Sequence, residues 1–421
     1  MPVCSVAGFG TDENPQNIEV CGRQYVVWRD EKDEFRMLPD ACPHRLAPLS
    51  QGRVENGCIE CPYHGMRFDG CSGTATRVPQ NPEREGERWA EPVETTRTGD
   101  LIWGFFDAEL HGESAPELPQ IRYPHLPETG SYYVRELPYS VDMLIENFMD
   151  PAHIPYAHHS LQGVRTDGSA IPMTLLASNE THVEVTFQDH IRGKPRSGVV
   201  SFQRPVRYHF RTTTDNETYK TGLEIFCVPV REGRSRVFFK SPPSLPKWLP
   251  TWLVHAGSNR FLNTDIWLHD AEIDLRQESS EQKSRDLSAY RLASTADAGP
   301  AAFRAWWRNG NMADAPRHSF GPALSPPHRL ESRADKIDAW RYHTAHCAVC
   351  RLALKKAKRY RALGLGLAAL SLSLFPGFLP RLLGLSLGGA LALLADRVTA
   401  IIRGTPDAAA LDRRSIASTA P

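Results

Sequence analysis

Short segments in which apolar and polar residues alternate recur through much of the chain. Segments 18–28 and 53–69 are rich in β-forming residues and are punctuated by glycine, which is typical of a small all-β domain. Farther along, apolar residues recur at every second position over 183–187, 199–210, 223–228 and 237–239. Because side chains alternate between the two faces of a strand, this period of two predicts the strands of a second sheet.

Two segments depart from this alternation. Segment 109–127 is rich in proline and glutamate and predicts a linker. Segment 265–292 carries many charges on one side of a helical projection and predicts a long helix. The order of these elements predicts an α+β protein, in which an all-β domain precedes a domain of sheet and helices.

An apolar stretch over 362–402 dominates the C-terminal region and is interrupted at Pro376, Pro380 and Arg381. Each arm offers roughly 15 to 20 apolar residues, close to the length of about 20 that spans a bilayer. We predict two transmembrane helices with a turn around Pro380. A buried helical hairpin and an interfacial anchor are the alternatives.

Basic residues flank this stretch on both sides. They are Lys355, Lys356, Lys358, Arg359 and Arg361 before the first arm, and Arg397 and Arg403 near the end of the second. Positive charge favours the cytosolic or stromal side of a membrane, so both ends of the stretch are expected there.

Composition narrows the class of protein. The chain has 421 residues, which is enough for two or three domains. Lys plus Arg and Asp plus Glu are both 49, so no charge excess indicates a nucleic-acid partner. Nine cysteines are too few for a disulfide scaffold in a chain of this length and favour a reducing compartment.

The most informative chemical pattern is a Cys-x-His pair followed, sixteen residues later, by a Cys-x-x-His pair: Cys42 and His44, then Cys61 and His64. Two thiolates can hold one iron of a [2Fe–2S] cluster while two imidazoles hold the other, so the pattern predicts a Rieske centre. A structural zinc site uses the same ligand types and is the alternative. A proline follows each cysteine, which stiffens both loops and favours the cluster.

A second candidate site follows at residues 147–159. His153 and His158 are candidate ligands of a mononuclear iron, since two histidines and one carboxylate leave positions open for oxygen. Five residues apart on a regular helix they would diverge by roughly 140°. Pro155 provides a break that would let them converge. Asp150 lies one turn before His153, where it could hydrogen-bond the imidazole.

The carboxylate ligand is not fixed by this pattern, because segment 263–278 offers several acids, among them Asp265 and Asp270. The chain shows no glycine-rich nucleotide fingerprint, so a separate reductase or ferredoxin is expected to supply electrons. Near the C-terminus, Cys347 and Cys350 form a Cys-x-x-Cys pair, which is a candidate regulatory dithiol. His343 and His346 nearby make a zinc knuckle the alternative.

The residues quoted around Cys42 and Cys61 closely resemble the Rieske domain of the Rieske non-haem iron oxygenases. Asn147, Asp150, His153 and His158 match the pattern Asn-x-x-Asp-x-x-His-x-x-x-x-His of their catalytic domain. With the Cys-x-x-Cys pair and the apolar tail, the whole chain resembles the pheophorbide a oxygenase group, which includes chlorophyllide a oxygenase and translocon components. One departure is Met66, which stands where relatives usually carry tryptophan.

The resemblance implies further site assignments. The iron ligand Asp in the family tends to precede a Gln by seven positions, which favours Asp270 with Gln277, and Asp265 is the reserve. Asp150 would connect the cluster of one subunit, through His64, to His153 of the next subunit in a homotrimer. Asn147 is a further catalytic candidate. Thioredoxin is implied as a possible partner of Cys347 and Cys350.

The predicted architecture has five parts. Residues 1–110 are a Rieske [2Fe–2S] domain, 111–345 an α+β helix-grip domain with a mononuclear non-haem Fe(2+), 346–361 a Cys-x-x-Cys and basic linker, 362–403 the two apolar helices and 404–421 a tail. The resemblance implies a membrane-anchored monooxygenase that uses ferredoxin-derived electrons and O2 to oxidise a chlorophyll-related tetrapyrrole. A redox-sensing electron carrier or translocon component without turnover is the alternative.

The resemblance also implies a location. We expect a chloroplast thylakoid or inner envelope membrane, or a cyanobacterial membrane, with contact to membrane lipid and the catalytic domain on the stromal or cytosolic side. The N-terminal residues show neither a signal sequence nor a transit peptide, so the protein needs none or its start is missing.

Overall fold

The computed structural model describes residues 1–10, 14–106, 131–213, 219–240, 246, 248–277, 290–308, 332–374 and 376–404. The predicted linker over 109–127 lies outside these residues. The chain divides into two compact units. The first comprises Met1–Val6, Thr11–Pro242 and Trp267–Leu330, and the second comprises Ala7–Gly10, Pro243–Ile266 and Glu331–Pro421.

Helices are named here once, in chain order. They are α1 (Val6–Phe9), α2 (Val141–Phe148), α3 (Ile154–Ala157), α4 (Thr251–Asn263), α5 (Leu268–Gln277), α6 (Ala298–Trp306), α7 (Arg333–Lys336), α8 (Ala339–Tyr342), α9 (Ala348–Leu374) and α10 (Phe378–Arg403).

The N-terminal part of the first unit is built from three small antiparallel sheets. Its strands are β1 (Pro2–Ser5), β2 (Gln16–Val20), β3 (Arg23–Arg29), β4 (Phe35–Pro39), β5 (Arg53–Glu55), β6 (Cys58–Glu60), β7 (Arg67–Phe68), β8 (Ala75–Arg77), β9 (Glu94–Thr98) and β10 (Leu101–Phe105). They pair in the orders β1-β10-β9, β2-β3-β4 and β5-β6-β7-β8. A core that includes the buried Trp28, Leu38 and Phe68 also contains the thiols of Cys42 and Cys61. The cysteines are therefore part of a rigid interior.

A seven-stranded antiparallel sheet forms the rest of the first unit. Its strands are β11 (Tyr132–Leu137), β12 (Met173–Ser178), β13 (His182–Ile191), β14 (Lys194–Gln203), β15 (Arg207–Thr213), β16 (Tyr219–Arg231) and β17 (Arg234–Lys240), in the order β11-β17-β16-β15-β14-β13-β12. The predicted run over 199–210 is split between β14 and β15, because the chain turns at Arg204 and Pro205.

Two helices of the first unit are held together by a buried ion-pair cluster. The guanidinium of Arg304 in α6 donates to Asp142, at 2.7 Å, and to Glu146, both in α2. Phe303 and Trp306 of α6 contact Phe202 of the sheet edge to face. Because α2 leads directly into the histidine segment, this contact fixes the start of that segment on the sheet.

The predicted helix over 265–292 is shorter than expected. Helix α5 begins at Leu268, residues 290–292 are not helical, and 278–289 lie outside the described residues. Helix α4 was not predicted, since its apolar residues do not follow a clear helical period. The α+β fold class, with an all-β domain before the sheet and helices, is confirmed.

The second unit contains α9 and α10, which pack as an antiparallel pair. Small residues form the contact: an added Cβ at Gly364 would lie 2.6 Å from the carbonyl oxygen of Gly388, and one at Gly384 would lie 2.1 Å from the Cβ of Ser371. Among the described residues, α10 is the one helix long and apolar enough to cross a membrane. Helix α10 begins at Phe378, so Pro380 falls inside its first turn rather than in the connection before it.

Candidate metal centres

Two loops of the N-terminal domain share one backbone conformation. In each, the cysteine N–H donates to the carbonyl five residues on, at 2.8 Å, and the N–H four residues on donates to the cysteine carbonyl, at 2.8 and 3.1 Å. The first loop starts at Cys42 and follows β4, and the second starts at Cys61 and joins β6 to β7. Two similar turns thus present one cysteine each from the core and one histidine each toward the surface.

The side chains of these loops fit a [2Fe–2S] cluster. The thiols of Cys42 and Cys61 are buried, whereas His44 is exposed and His64 half-buried. The two imidazole centroids lie 4.9 Å apart. Burial, together with the neighbouring thiol of Cys61, raises the pKa of the Cys42 thiol to about 11. Iron binding would replace the proton of this thiol. Paired buried thiols below paired accessible imidazoles match a cluster with one iron inside and one near the surface.

Polar contacts brace the first loop, and an aromatic contact lies at the tip of the second. The carboxylate of Asp40 accepts bonds from the Ser50 N–H, at 2.7 Å, and from the Ser50 hydroxyl, at 2.6 Å. At the outer tip, the ring of Tyr63 lies 3.9 Å from that of His64 and is more than half exposed. The bracing fixes the ligand positions, and the exposed tip leaves the histidine side accessible to another protein surface.

The second pair of histidines converges as predicted, by a different local structure. The chain makes a 3-10 turn over Pro151–His153 and then the short helix α3, in which Pro155 is the second residue. The Nε2 atoms of His153 and His158 lie 3.2 Å apart. Two ligands at about 2 Å from one metal and roughly 90° apart would have their nitrogens about 3 Å from each other. Burial, and secondarily the nearby His153, lowers the pKa of His158 to about 3, which keeps it neutral and able to bind a metal.

Asp150 lies beside His153, but its carboxylate does not make the predicted hydrogen bond. The Nδ1 of His153 is bonded to the backbone carbonyl of Asp150, and the nearest carboxylate oxygen is 4.0 Å away. That carboxylate instead accepts the N–H of Ala152, at 2.8 Å. Burial raises its pKa to about 6 despite this bond. A backbone carbonyl therefore orients the imidazole, since the turn brings it closer than the side chain.

Close packing holds the segment before the histidines. The hydroxyl of Tyr208 in β15 donates to the carbonyl of Phe148, at 2.7 Å. Gly299 of α6 lies against the carbonyl of Met149, where an added Cβ would be only 2.2 Å from the oxygen. The sheet and α6 therefore grip the C-terminal end of α2 from two directions.

The other candidates of this centre differ in burial. Asn147 is buried in the last turn of α2. Asp265 is 2% exposed and lies between α4 and α5, whereas Asp270, in the first turn of α5, is half-buried. The helical neighbours of Asp270 have other partners: His269 bonds the carbonyl of Pro138, and Glu272 accepts from Ser140.

A cleft of about 400 Å3 lies beside α3 in the first unit. Its walls include Tyr156, Asp167 and His190, and they include neither His153 nor His158. The cleft therefore lies beside the histidine segment without including either imidazole.

The Cys-x-x-Cys pair is buried at the start of α9 in the second unit. Cys347 and Cys350 lie close to His343, as a zinc knuckle would require, but His346 is exposed and does not join them. His255 of α4 takes that place, a residue that sequence reasoning missed because it is 92 positions before Cys347. A lone histidine in a largely apolar helix was the one available signal.

The chain matches two known protein families and several known proteins. The family model described as the Rieske [2Fe-2S] domain matches residues 1–96, and that described as pheophorbide a oxygenase matches residues 202–282. Flavonoid 8-hydroxylase 2, chloroplastic, of Ocimum basilicum is 32% identical over 88% of this chain and 75% of its own length. Pheophorbide a oxygenase, chloroplastic, of Oryza sativa subsp. japonica is 29% identical over 80% of this chain and 69% of its own length.

A solved structure has the same fold. NdmA of Pseudomonas putida CBB5 aligns with a TM-score of 0.53 at 19% identity, covering 75% of this chain and 90% of that one. The enzymes of this family carry a Rieske [2Fe–2S] cluster and a mononuclear non-haem iron, and they use O2 with electrons from a ferredoxin or reductase. On these similarities, this chain belongs to the Rieske non-haem iron oxygenases, in the group of pheophorbide a oxygenase.

Proposed function

We propose that this protein is a membrane-anchored monooxygenase that oxidises a chlorophyll-related tetrapyrrole at a mononuclear iron held by His153 and His158. The convergence of their Nε2 atoms to 3.2 Å is the observation that carries the proposal. An electron carrier without turnover has no need of a second pair of imidazoles aimed at one point. When bound, the iron supplies the activation of O2, and the cluster supplies an electron.

The carboxylate ligand in this proposal comes from segment 263–278. Asp270 is the first candidate, because it precedes Gln277 by seven positions, and Asp265 is the reserve.

Metal analysis tests the ligand set. The wild-type protein should contain about three irons per chain, two of them in the cluster. His153→Ala should lower this to about two and leave the visible spectrum of the cluster intact. Asp270→Ala should do the same if Asp270 is the carboxylate ligand, in which case Asp265→Ala should retain about three. A wild-type protein with two irons would contradict the oxygenase and favour the electron carrier.

The proposed substrate class is inferred from the names of the relatives. Several of them are named pheophorbide a oxygenase or chlorophyllide a oxygenase, and these names favour a chlorophyll-related tetrapyrrole. A flavonoid is the second candidate, because the relative named flavonoid 8-hydroxylase is 32% identical over 88% of the chain. Both candidates are planar aromatic molecules, so shape alone does not separate them.

Labelled oxygen separates the two substrate classes. The reduced enzyme, supplied with ferredoxin and a ferredoxin reductase, would be incubated under 18O2 with a panel of tetrapyrroles and a panel of flavonoids. Incorporation of one 18O atom into a tetrapyrrole supports the proposal, and incorporation only into flavonoids assigns the second candidate. His153→Ala is the control, since it retains the cluster and should incorporate no label.

The anchor in this proposal is the pair α9 and α10. Its contact face is lined with small residues, whereas many of its leucines are exposed, which is the reverse of a soluble hairpin. The exposed leucines are Leu363, Leu365, Leu367, Leu370, Leu372, Leu374, Leu379, Leu382, Leu383, Leu385, Leu387, Leu393 and Leu394. Insertion into lipid would cover them and leave the basic start of α9 at the stromal or cytosolic surface of a plastid or cyanobacterial membrane. Flotation of the full-length protein with liposomes tests this, and protein that stays at the bottom of the gradient contradicts it.

Electron transfer between subunits of a homotrimer completes the proposal. The surface formed by the exposed His44 and Tyr63 and the half-buried His64 would face a neighbour, with Asp150 beside His153 as the receiving side. Co-expression of His64→Ala chains with His153→Ala chains tests it, because neither chain is active alone. Mixed assemblies should recover part of the activity if electrons pass between subunits, and none if they stay within one chain.

A further inference from the structure

Four potential metal ligands converge in the second unit. They are His255 in α4, His343 after α8, and Cys347 and Cys350 at the start of α9. Their ligand atoms all lie within 4.8 Å of one another, and all four residues are buried. This grouping brings together two distant parts of the chain, His255 and segment 343–350, which local sequence spacing does not place next to each other.

The distances between nitrogen and sulfur match those of a tetrahedral site. The Nδ1 of His255 lies 3.6 Å from the Sγ of Cys347 and 3.5 Å from that of Cys350, and the Nε2 of His343 lies 3.3 Å from the latter. Tetrahedral zinc with bonds of about 2.3 Å to sulfur and 2.0–2.1 Å to nitrogen requires nitrogen and sulfur to be roughly 3.5 Å apart. The three observed distances lie around this value.

The surroundings suit a closed structural site. The two cysteines pack with Leu354 and Ile402, and Trp252 lies at the edge of the same cluster. The two imidazoles meet edge to face, with centroids 4.9 Å apart and planes at 83°, so each directs one nitrogen inward. A dry site with four protein ligands has no position for substrate or water, which distinguishes structural zinc from catalytic zinc.

We propose that His255, His343, Cys347 and Cys350 bind one structural Zn2+ that joins α4 to the base of the α9 and α10 pair. Two cysteines and two histidines are a ligand set that selects zinc over magnesium or calcium. The metal would tie residue 255 to residues 343–350 and so fix the start of α9 against α4. The rival is a metal-free dithiol that thioredoxin reduces and oxidises.

X-ray absorption and metal content of the wild-type, full-length protein test this without any substitution. The expected result is about one zinc per chain after dialysis against a mild chelator, with a first shell of two sulfurs near 2.3 Å and two nitrogens near 2.0–2.1 Å. Zinc well below one equivalent, or a shell of oxygen and nitrogen alone, would overturn the proposal. So would a disulfide between Cys347 and Cys350 in the protein as isolated.

A matched pair of histidine variants locates the metal. His343→Ala should lose the zinc and keep the cluster spectrum and the iron content, whereas His346→Ala, an exposed histidine three residues away, should keep all three. Cys350→Ser serves if His343→Ala does not fold. Zinc retained in both His343→Ala and Cys350→Ser would place it elsewhere and overturn the assignment. Iron and zinc are counted separately, so failure of the oxygenase proposal would not affect this result.

Discussion

Leu46 and Gly65 occupy equivalent positions in the two cluster loops. Each follows its cysteine by four residues, each donates its N–H to that cysteine's carbonyl, and each has a positive φ, 61° for Leu46 and 69° for Gly65. A left-handed backbone costs a non-glycine residue roughly 1–2 kcal/mol. One loop therefore meets the required conformation with glycine, and the other holds a strained leucine whose side chain is 75% exposed.

This relationship predicts opposite effects of two substitutions. Gly65→Ala should destabilise the cluster domain by about 1–2 kcal/mol, from backbone strain alone, since the added Cβ would meet nothing closer than 3.7 Å. Leu46→Gly should stabilise it slightly, by up to about 1 kcal/mol, because little buried surface is lost. Thermal loss of the cluster's visible absorption measures both. Equal midpoints in the two variants would contradict the argument.

The close contact between Gly299 and Met149 predicts that even one methyl group disturbs the iron segment. Gly299→Ala should cost about 1–3 kcal/mol through overpacking and should lower the content of mononuclear iron. Gly257→Ala is a matched control in another helix, α4, where an added Cβ meets nothing within 4 Å, and it should be neutral or stabilising. Chemical denaturation and iron analysis compare them. Normal iron in Gly299→Ala would show that the segment tolerates displacement.

Removing the buried Arg304 should destabilise the protein far more than removing the cation of an exposed ion pair. Arg304→Ala would leave Asp142 and Glu146 without their shared cation, and we expect a loss of about 3–5 kcal/mol. Arg88→Ala removes a pair with Glu91 in which both side chains are mostly exposed, and it should change stability by less than about 1 kcal/mol. Urea unfolding at neutral pH measures the difference. Similar values for the two variants would rule out a structural role for the buried cluster.

The hydrogen bonds that the Asp167 carboxylate accepts from backbone N–H groups should weaken in acid. Burial alone would raise its pKa, but hydrogen bonds from the N–H groups of Arg192, Gly193 and Val164 outweigh burial and lower it. Because the folded pKa lies below the unfolded value of 3.8, the contribution to stability is fully present above 3.8. It is lost as the pH falls through the lower folded value.

Amide exchange around residues 192–193 reports this contact. In the wild-type protein, the N–H groups of Arg192 and Gly193 should stay protected from hydrogen exchange down to about pH 4 and lose that protection at lower pH. In Asp167→Ala these two N–H groups should be unprotected at every pH. Protection that does not change with pH in the wild-type protein would mean that another group holds the turn.

Because small residues form the contact between α9 and α10, two adjacent glycines of α10 should differ sharply in how well they tolerate a larger side chain. An added Cβ at Gly388 would lie 2.4 Å from the carbonyl of Gly364, whereas one at Gly389 meets nothing within 4 Å. Gly388→Leu should force the helices apart at a cost of about 1–3 kcal/mol or more, and Gly389→Leu should be tolerated. Thermal unfolding in detergent measures both. Equal tolerance would mean that the two helices do not pack through this face.

The sequence by itself determined the parts whose chemistry depends on short spacings. The two cysteine loops, the histidine pair around Pro155 and the alternating strands were all predicted from local pattern, since ligand loops and strands are encoded by neighbouring residues. The tight turns were predicted less well. The partner of His153 is the carbonyl of Asp150 rather than its side chain, because a 3-10 turn replaces the expected helix.

Only the tertiary structure decided which distant residues meet. His255 reaches Cys347 across 92 positions, and Gly299 meets Met149 across 150. No period or motif links such residues, because their contact results from how helices pack on the sheet and on one another. Burial, which separates Asp265 from Asp270 although both are plausible from spacing, is likewise a property of the folded chain.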